Sequence, residues 1–261
     1  MRSTSDILGI RFAISTKEQI QSTLCRALHE SKCVTVFTPN PEFALAARRD
    51  STLCDMINSA DILLPDGIGI IIASRILNVP LPERIAGIDI GEFLLSQSDK
   101  KELRIFLLGG REGVAERARD RISERYPHTA VCGAHHGYFK KSGEECDRVI
   151  DEIDKAAPDI LFVCFGFPEQ ERWILANRDR LPTVKIFAGL GGSIDVWAED
   201  LRRAPVIFQK LGLEWLWRVA RQPSRWRIFL DIPTFFVCVL KQKIAQKTHL
   251  KGTSGEKSEF L

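Results

Sequence analysis

The sequence predicts an α/β protein: a parallel sheet flanked by helices, followed by a small helical appendage at the C-terminal end. Three observations predict it. Strand-length runs that are apolar throughout recur as far as Ala188. Amphipathic stretches of helix length separate them. Turns rich in glycine and proline close the runs. Strands apolar on both sides are buried on both faces, and intervening helices supply the cover.

The elements follow in order. Cys33–Phe37 (CVTVF) is β-branched and ends at Thr38-Pro39-Asn40-Pro41. Ala44 to Asn58 has helical periodicity. Asp61–Leu64 (DILL) is a short strand ending at Pro65-Asp66-Gly67, and Ile68 to Leu77 is helical. Arg104–Leu108 (RIFLL) runs into Gly109-Gly110, and Arg111 to Arg125 is a charged helix. Asp159–Phe165 (DILFVCF) ends at Gly166-Phe167-Pro168, and Glu169 to Arg180 is helical. Val184–Ala188 (VKIFA) ends at Gly189-Leu190-Gly191-Gly192.

Past Glu199 arginine, tryptophan and proline dominate. The expected organisation is a catalytic α/β domain over 1–198, an appendage over 199–248 and a disordered tail over 249–261.

Composition bounds the class. A chain of 261 residues that is 44% hydrophobic supports one full core plus an appendage. Net charge is only +3. The charge is local: seven basic residues (Arg202, Arg203, Lys210, Arg218, Arg221, Arg225, Arg227) lie between Leu201 and Arg227, with Glu214 the one acidic residue. This patch lacks a recognised nucleic-acid motif, so no nucleic-acid partner is expected. The seven cysteines form no CxxC pair, consistent with reduced core thiols in a cytosolic protein. No HxxxH, HExxH or DxD stands out, so no metal and no cofactor is expected. No apolar run reaches the ~20 residues of a spanning helix. A homo-oligomer is compatible with the sequence.

In parallel sheets ligands bind outside the carboxyl ends of the strands, where all these turns lie. Asp66 presents a carboxylate there, before Gly67-Ile68-Gly69. A carboxylate so placed serves as a general base, or equally well as a helix cap. Gly109-Gly110 and Gly191-Gly192 suit a diphosphate at a helix start, or simply the geometry of a tight turn. A dinucleotide fingerprint would need glycine where Ile194 stands, so an oxidoreductase is the weaker alternative. Gln170 and Glu171 open a helix after a buried strand, as caps or as ligand contacts. Arg84, in Pro82-Glu83-Arg84-Ile85-Ala86-Gly87, is a surface charge or a phosphate clamp.

Trp215, Trp217 and Trp226 interleave with Arg218, Arg221 and Arg225, and the apolar stretch Ile228–Leu240 follows. That composition suits a membrane–water interface near anionic headgroups, or a solvated helix with core tryptophans. A non-catalytic membrane- or polyanion-binding module is the second alternative.

The ordered set of motifs resembles the WecG/TagA/CpsF family of bacterial glycosyltransferases. The matching pieces are Thr38-Pro39-Asn40-Pro41-Glu42, Pro65-Asp66-Gly67-Ile68-Gly69, Pro82–Gly87, Leu108-Gly109-Gly110, Phe167-Pro168-Glu169-Gln170-Glu171, Gly191-Gly192-Ser193-Ile194-Asp195, Arg203-Ala204-Pro205, Leu213–Arg218 and Gln222–Arg225. Leu64-Pro65 and Trp197-Ala198-Glu199-Asp200 depart from the common pattern near the expected donor pocket. The resemblance implies a Rossmann-like domain with a C-terminal appendage. It also implies metal-independent, inverting transfer of N-acetylmannosamine or a related sugar. The donor would be a UDP-sugar and the acceptor an undecaprenyl-diphosphate-linked sugar, at the inner face of the cytoplasmic membrane. Asp66 would be the general base, and Thr38, Asn40, Arg84 and Gln170 its pocket. Gly109, Gly110, Glu171, Gly191, Gly192 and Asp195 would line the substrate site, and Arg218, Arg221 and Arg225 would be the appendage arginines.

Overall fold

The structure, a computed structural model, describes residues 4–30, 32–210, 212–221 and 226–255. An antiparallel hairpin opens the chain, β1 (Thr4–Ile7) and β2 (Ile10–Ala13), turning through Leu8 and Gly9. Helix α1 (Lys17–His29) starts at a capping box, in which the Thr16 side chain accepts from Gln19 N and Gln19 answers to the Thr16 N–H.

Then come β3 (Val34–Phe37), α2 (Pro41–Arg49), α3 (Ser51–Asn58), β4 (Ile62–Leu63), α4 (Ile68–Ile76) and α5 (Gly87–Lys101). The alternation continues with β5 (Arg104–Gly109), α6 (Val114–Arg125), β6 (Ala130–His135), α7 (Glu144–Ala156), β7 (Ile160–Cys164) and α8 (Glu169–Asn177). A short 3-10 turn, β8 (Ile186–Gly189) and the five-residue α9 (Ser193–Trp197) complete the core. The appendage holds α10 (Val206–Lys210), α11 (Glu214–Arg221) and α12 (Ile228–Gly255).

The single helix expected from Ala44 to Asn58 is two. Asp50 stays extended (φ −136°, ψ 105°), and its carboxylate accepts from Leu53 N at 3.1 Å. An aspartate able to cap the following turn breaks the helix there. α12 carries Pro233 within it and continues to Gly255, past Thr248, where the sequence had suggested the tail begins.

The six-stranded sheet has the order β4-β3-β8-β7-β5-β6, with every pairing parallel. Successive strand residues alternate between two apolar cores. Phe106 and Leu108 join one with Phe37, Phe187 and Trp173; Ile105 and Leu107 join the other with Val36, Phe162 and Ile186. That is the physical source of runs apolar on both faces. The hairpin, α2, α3, α4, α7, α8 and α12 cover the first face. Helices α1, α5, α6 and α9 cover the second. After neighbouring β3 and β8 the chain leaves to opposite faces, through α2 and α9, which opens a crevice at the carboxyl edge.

Helix α12 docks on α2 and α4, burying Phe235 and Val239 completely. Its other side carries exposed Leu230, Val237, Leu240 and Ile244. Gln242 reaches the hairpin: its Oε1 accepts from Leu8 N at 2.9 Å and its Nε2 donates to Asp6 Oδ1 at 3.1 Å. Among the described residues no helix is long and apolar enough to cross a membrane.

Candidate active site

Two strand-end turns and the loop between α4 and α5 are sewn together by backbone hydrogen bonds. Leu64 N donates to Phe37 O at 2.9 Å, Asp66 N to Pro39 O at 3.1 Å and Ile85 N to Pro65 O at 3.0 Å. Thr38, Asn40, Asp66 and Arg84, scattered along the chain, thereby meet at the carboxyl ends of β3 and β4. Thr38 is buried against the first turn of α5: a Cβ on Gly87 would lie 3.1 Å from its Oγ1. A side chain at Gly87 would push the threonine away.

Asp66 is half-buried, one residue before the N-cap of α4. The cap position belongs to Gly67, whose φ of +95° lies in the region that favours glycine. Gly69 is required for another reason. A Cβ there would sit 2.9 Å from Pro41 Cγ, so the first turns of α4 and α2 pack backbone to ring.

Asn40 is the N-cap of α2, and its Oδ1 accepts from Glu42 N at 2.9 Å and Phe43 N at 3.1 Å. Its carbonyl is thus committed to the helix. Asn40→Ala is expected to cost about 1 kcal/mol of stability, whereas Asn40→Asp keeps the cap. Denaturant titration of both variants checks this; an alanine variant as stable as the parent removes the cap from the account.

Gln170 is almost wholly buried. Its Oε1 accepts from Gly191 N at 3.0 Å and Gly166 N at 3.3 Å, and its Nε2 donates to Glu171 Oε1 at 2.7 Å. One amide therefore locks the turn after β7 to the turn after β8. Glu171 is fully buried, and its Oε2 has no hydrogen-bond partner. Burial pushes its carboxyl up to about 7, against the hydrogen bond from Gln170, which lowers it.

The glycine turns are engaged in the fold. Gly109 lies against β7 so closely that a Cβ would be 2.4 Å from Cys164 O, and Gly110 N donates to that same carbonyl at 3.3 Å. Gly191 N is taken by Gln170. Gly192 is the N-cap of α9, and Asp195 sits in its first turn, half-buried. Helix α6 begins at Val114, so Gly109-Gly110 precede it by a further turn instead of opening it. The Gly109-Gly110 turn also follows β5, separated from β4 by β3, β8 and β7. The Thr38–Asn40 turn is bonded to Asp66, Gln170 and Gly191 stand at the end of β8 on the other side of β3, and Gly109-Gly110 lie farther along the same edge.

Beside that turn stands a cation that the sequence did not single out. Lys141 Nζ is held between the rings of Phe139 and Phe165, 3.8 and 4.0 Å from their centroids. It donates to Gly137 O and, at 3.1 Å, to Phe139 O. Burial lowers its pKa, opposed by Glu169.

The appendage closes over the β3–β4 end. A Cβ on Gly212 would lie 2.6 Å from Ile68 Cβ, two residues past Asp66. Glu214 binds Arg84: Nη1 to Oε2 is 3.0 Å. Arg203 Nε stands 3.7 Å from Glu214 Oε1, beyond hydrogen-bond reach, and its Nη2 binds Asp89 Oδ1 at 2.6 Å. Glu214, Arg203 and Asp89 carry no local signal; Arg84 and Glu214 are 130 positions apart. Arg221 stacks over Trp217, 4.8 Å from the ring centroid. Arg218 lies on α11, and Arg225 falls outside the described residues. No group of three or more histidine, cysteine, aspartate or glutamate residues among the described ones is arranged to hold a metal.

Comparison with known proteins resolves the class. The model of the glycosyl transferase WecG/TagA/CpsF family matches residues 5–249. An N-acetylglucosaminyldiphosphoundecaprenol N-acetyl-beta-D-mannosaminyltransferase of Bacillus subtilis (strain 168) is 38% identical over 213 residues, 82% of this chain and 81% of the relative. Proteins of that same name are 35% identical over 235 residues in Bacillus spizizenii (90% of each chain) and 33% identical over 240 residues in Staphylococcus aureus MRSA252 (91% of this chain, 92% of the relative). The parallel α/β core with its carboxyl-edge cluster is a hexosyl-transferring enzyme. The chain belongs to the WecG/TagA/CpsF family of glycosyl transferases.

Proposed function

We propose that the protein transfers N-acetylmannosamine, or a closely related sugar, from a UDP-sugar to an undecaprenyl-diphosphate-linked N-acetylglucosamine in cell-surface polysaccharide synthesis. The supporting observation is the placement of Asp66. Its own N–H ties it to the Thr38–Asn40 turn, and its neighbour Pro65 is tied to the Arg84 loop, so a carboxylate and a guanidinium share one strand edge. The names of the relatives supply the sugar and the lipid carrier.

In this mechanism Asp66 takes the proton of the acceptor hydroxyl as its oxygen forms a bond to the anomeric carbon. The bond from that carbon to UDP breaks on the opposite face, which inverts the configuration. The departing diphosphate carries the negative charge, and guanidiniums and backbone N–H groups at the edge receive it without a metal. Arg84 and the appendage arginines 218, 221 and 225 are the cations assigned to it.

The outward side chains Leu230, Val237, Leu240 and Ile244 of α12 would rest in the headgroup boundary, giving peripheral contact with the inner face of the cytoplasmic membrane through residues 199–248.

The test is UDP release over a panel of UDP-sugars with a short-chain lipid-diphosphate N-acetylglucosamine acceptor. Release that depends on acceptor and is fastest with UDP-N-acetylmannosamine is the expected result. No release with any donor would overturn the assignment.

A further inference from the structure

We propose that Glu214 is a positioning residue: the appendage uses this one carboxylate to fix the guanidinium of Arg84, whose loop is bonded to Pro65 next to Asp66. The inference builds on the transfer reaction proposed above, but its geometry stands apart from the identity of the sugars.

Glu214 is the first residue of α11 and is buried. Its Oε2 meets Arg84 Nη1 at 3.0 Å, with the two side chains only 9% and 17% exposed. Its Oε1 faces Arg203 Nε at 3.7 Å, a nitrogen that is buried and has no hydrogen-bond partner. One carboxylate thus lies between two guanidiniums. The outer one, Arg203, is anchored by Asp89, on whose other oxygen Lys17 closes at 3.9 Å. Such a chain of alternating charges holds each member in one place, because removing the central anion leaves two partly buried cations facing each other.

Among the described residues, the Arg84 guanidinium bonds to Glu214 alone. Its backbone neighbour Ile85 is tethered to Pro65 O, which sets where the side chain begins. Glu214 sets where it ends. A guanidinium has five N–H donors, and a contact through Nη1 occupies a minority of them, so the salt bridge orients the group without consuming its capacity for phosphate. Gly212, pressed onto Ile68, pins the same segment two residues earlier. The appendage is therefore fastened to the core at two points, Ile68 by packing and Arg84 by charge.

The test uses the full chain and two variants. Glu214→Gln keeps shape and loses charge; Glu214→Asp keeps charge on a shorter stem. With UDP-sugar donor and short-chain lipid-diphosphate acceptor, Glu214→Gln is expected to lower kcat by about 10–100-fold, the scale of a displaced positioning group, with donor KM within about twofold. Glu214→Asp is expected to recover part of the rate. Hydrogen exchange, read on the same samples, is expected to speed up at Ile85 and along residues 214–221 in Glu214→Gln. Unchanged or raised kcat in Glu214→Gln overturns the proposal, as does a loss of rate explained by global unfolding of both variants. If the parent shows no transferase activity with any donor, the transfer reaction fails on its own. Exchange at Ile85 then decides about Glu214: unchanged protection overturns its role, and faster exchange upholds it.

Discussion

Replacing Asp66 by asparagine is expected to lower kcat by about 10²–10⁴-fold, the contribution of a positioned general base, while donor binding holds. Asparagine is nearly isosteric, so the backbone bond from residue 66 to Pro39 O and the Gly67 cap of α4 survive the change. What disappears is the ability to accept a proton from the attacking hydroxyl. Titration of UDP against the variant, alongside single-turnover transfer, separates the two effects. A variant that turns over at the parental rate sinks the base assignment. A variant that fails to bind UDP shows instead that the turn collapsed.

Glu171 gives the second large effect, and its sign is set by burial. Its carboxyl is pushed up from an ordinary 4.5 to about 7 because the charged form is desolvated. Below 4.5 the group is protonated in both folded and unfolded chains, and the protein suffers no penalty. As pH rises toward 7 the unfolded chain ionises first, and the native state loses stability progressively through that window. At 1.36 kcal/mol per unit the full loss is roughly 3 kcal/mol. Glu171→Gln removes the ionisation and keeps an oxygen for the Gln170 amide. The difference in unfolding free energy between parent and variant is therefore expected to shift in the variant's favour between pH 5 and 7. A difference that stays flat across that range would mean that Glu171 remains charged inside the fold.

The parts of the fold legible in the sequence were those whose residues face apolar surroundings on both sides. Ile105 and Phe106 point into different cores, and both are fully buried, so the run RIFLL has no polar alternation to hide it. Strand β6 is the opposite case. It is the edge strand of the sheet, its residues are only partly covered, and Ala130–His135 includes a glycine and a histidine. Gly133 is there for packing, since a Cβ would meet the Phe106 ring at 2.3 Å. The break between α2 and α3 depends on one capping aspartate within an otherwise continuous helical pattern.

The site divides along the same line. The position of Asp66 at a strand-end turn was legible from the buried strand before it and from the proline and glycine that flank it. Gln170 was legible as a position but not as a clamp, because its partners Gly166 and Gly191 belong to different turns. Glu214 was illegible in this role. Its helical spacing to Arg218 points to a local pair, and only the folded chain brings it to Arg84.

The bond between Gln242 and the opening hairpin has a consequence for how the molecule is made. A ribosome delivers Asp6 and Leu8 more than 230 positions ahead of Gln242, their separations from it being 236 and 234. The hairpin, and the surface of α2 and α4 that Phe235 and Val239 fill, therefore wait uncovered until α12 has been made. A chain that terminates early leaves that apolar seat open and the Leu8 N–H without its acceptor. Products that stop before α12 are thus marked by exposed apolar surface, the feature that chaperones and proteases recognise.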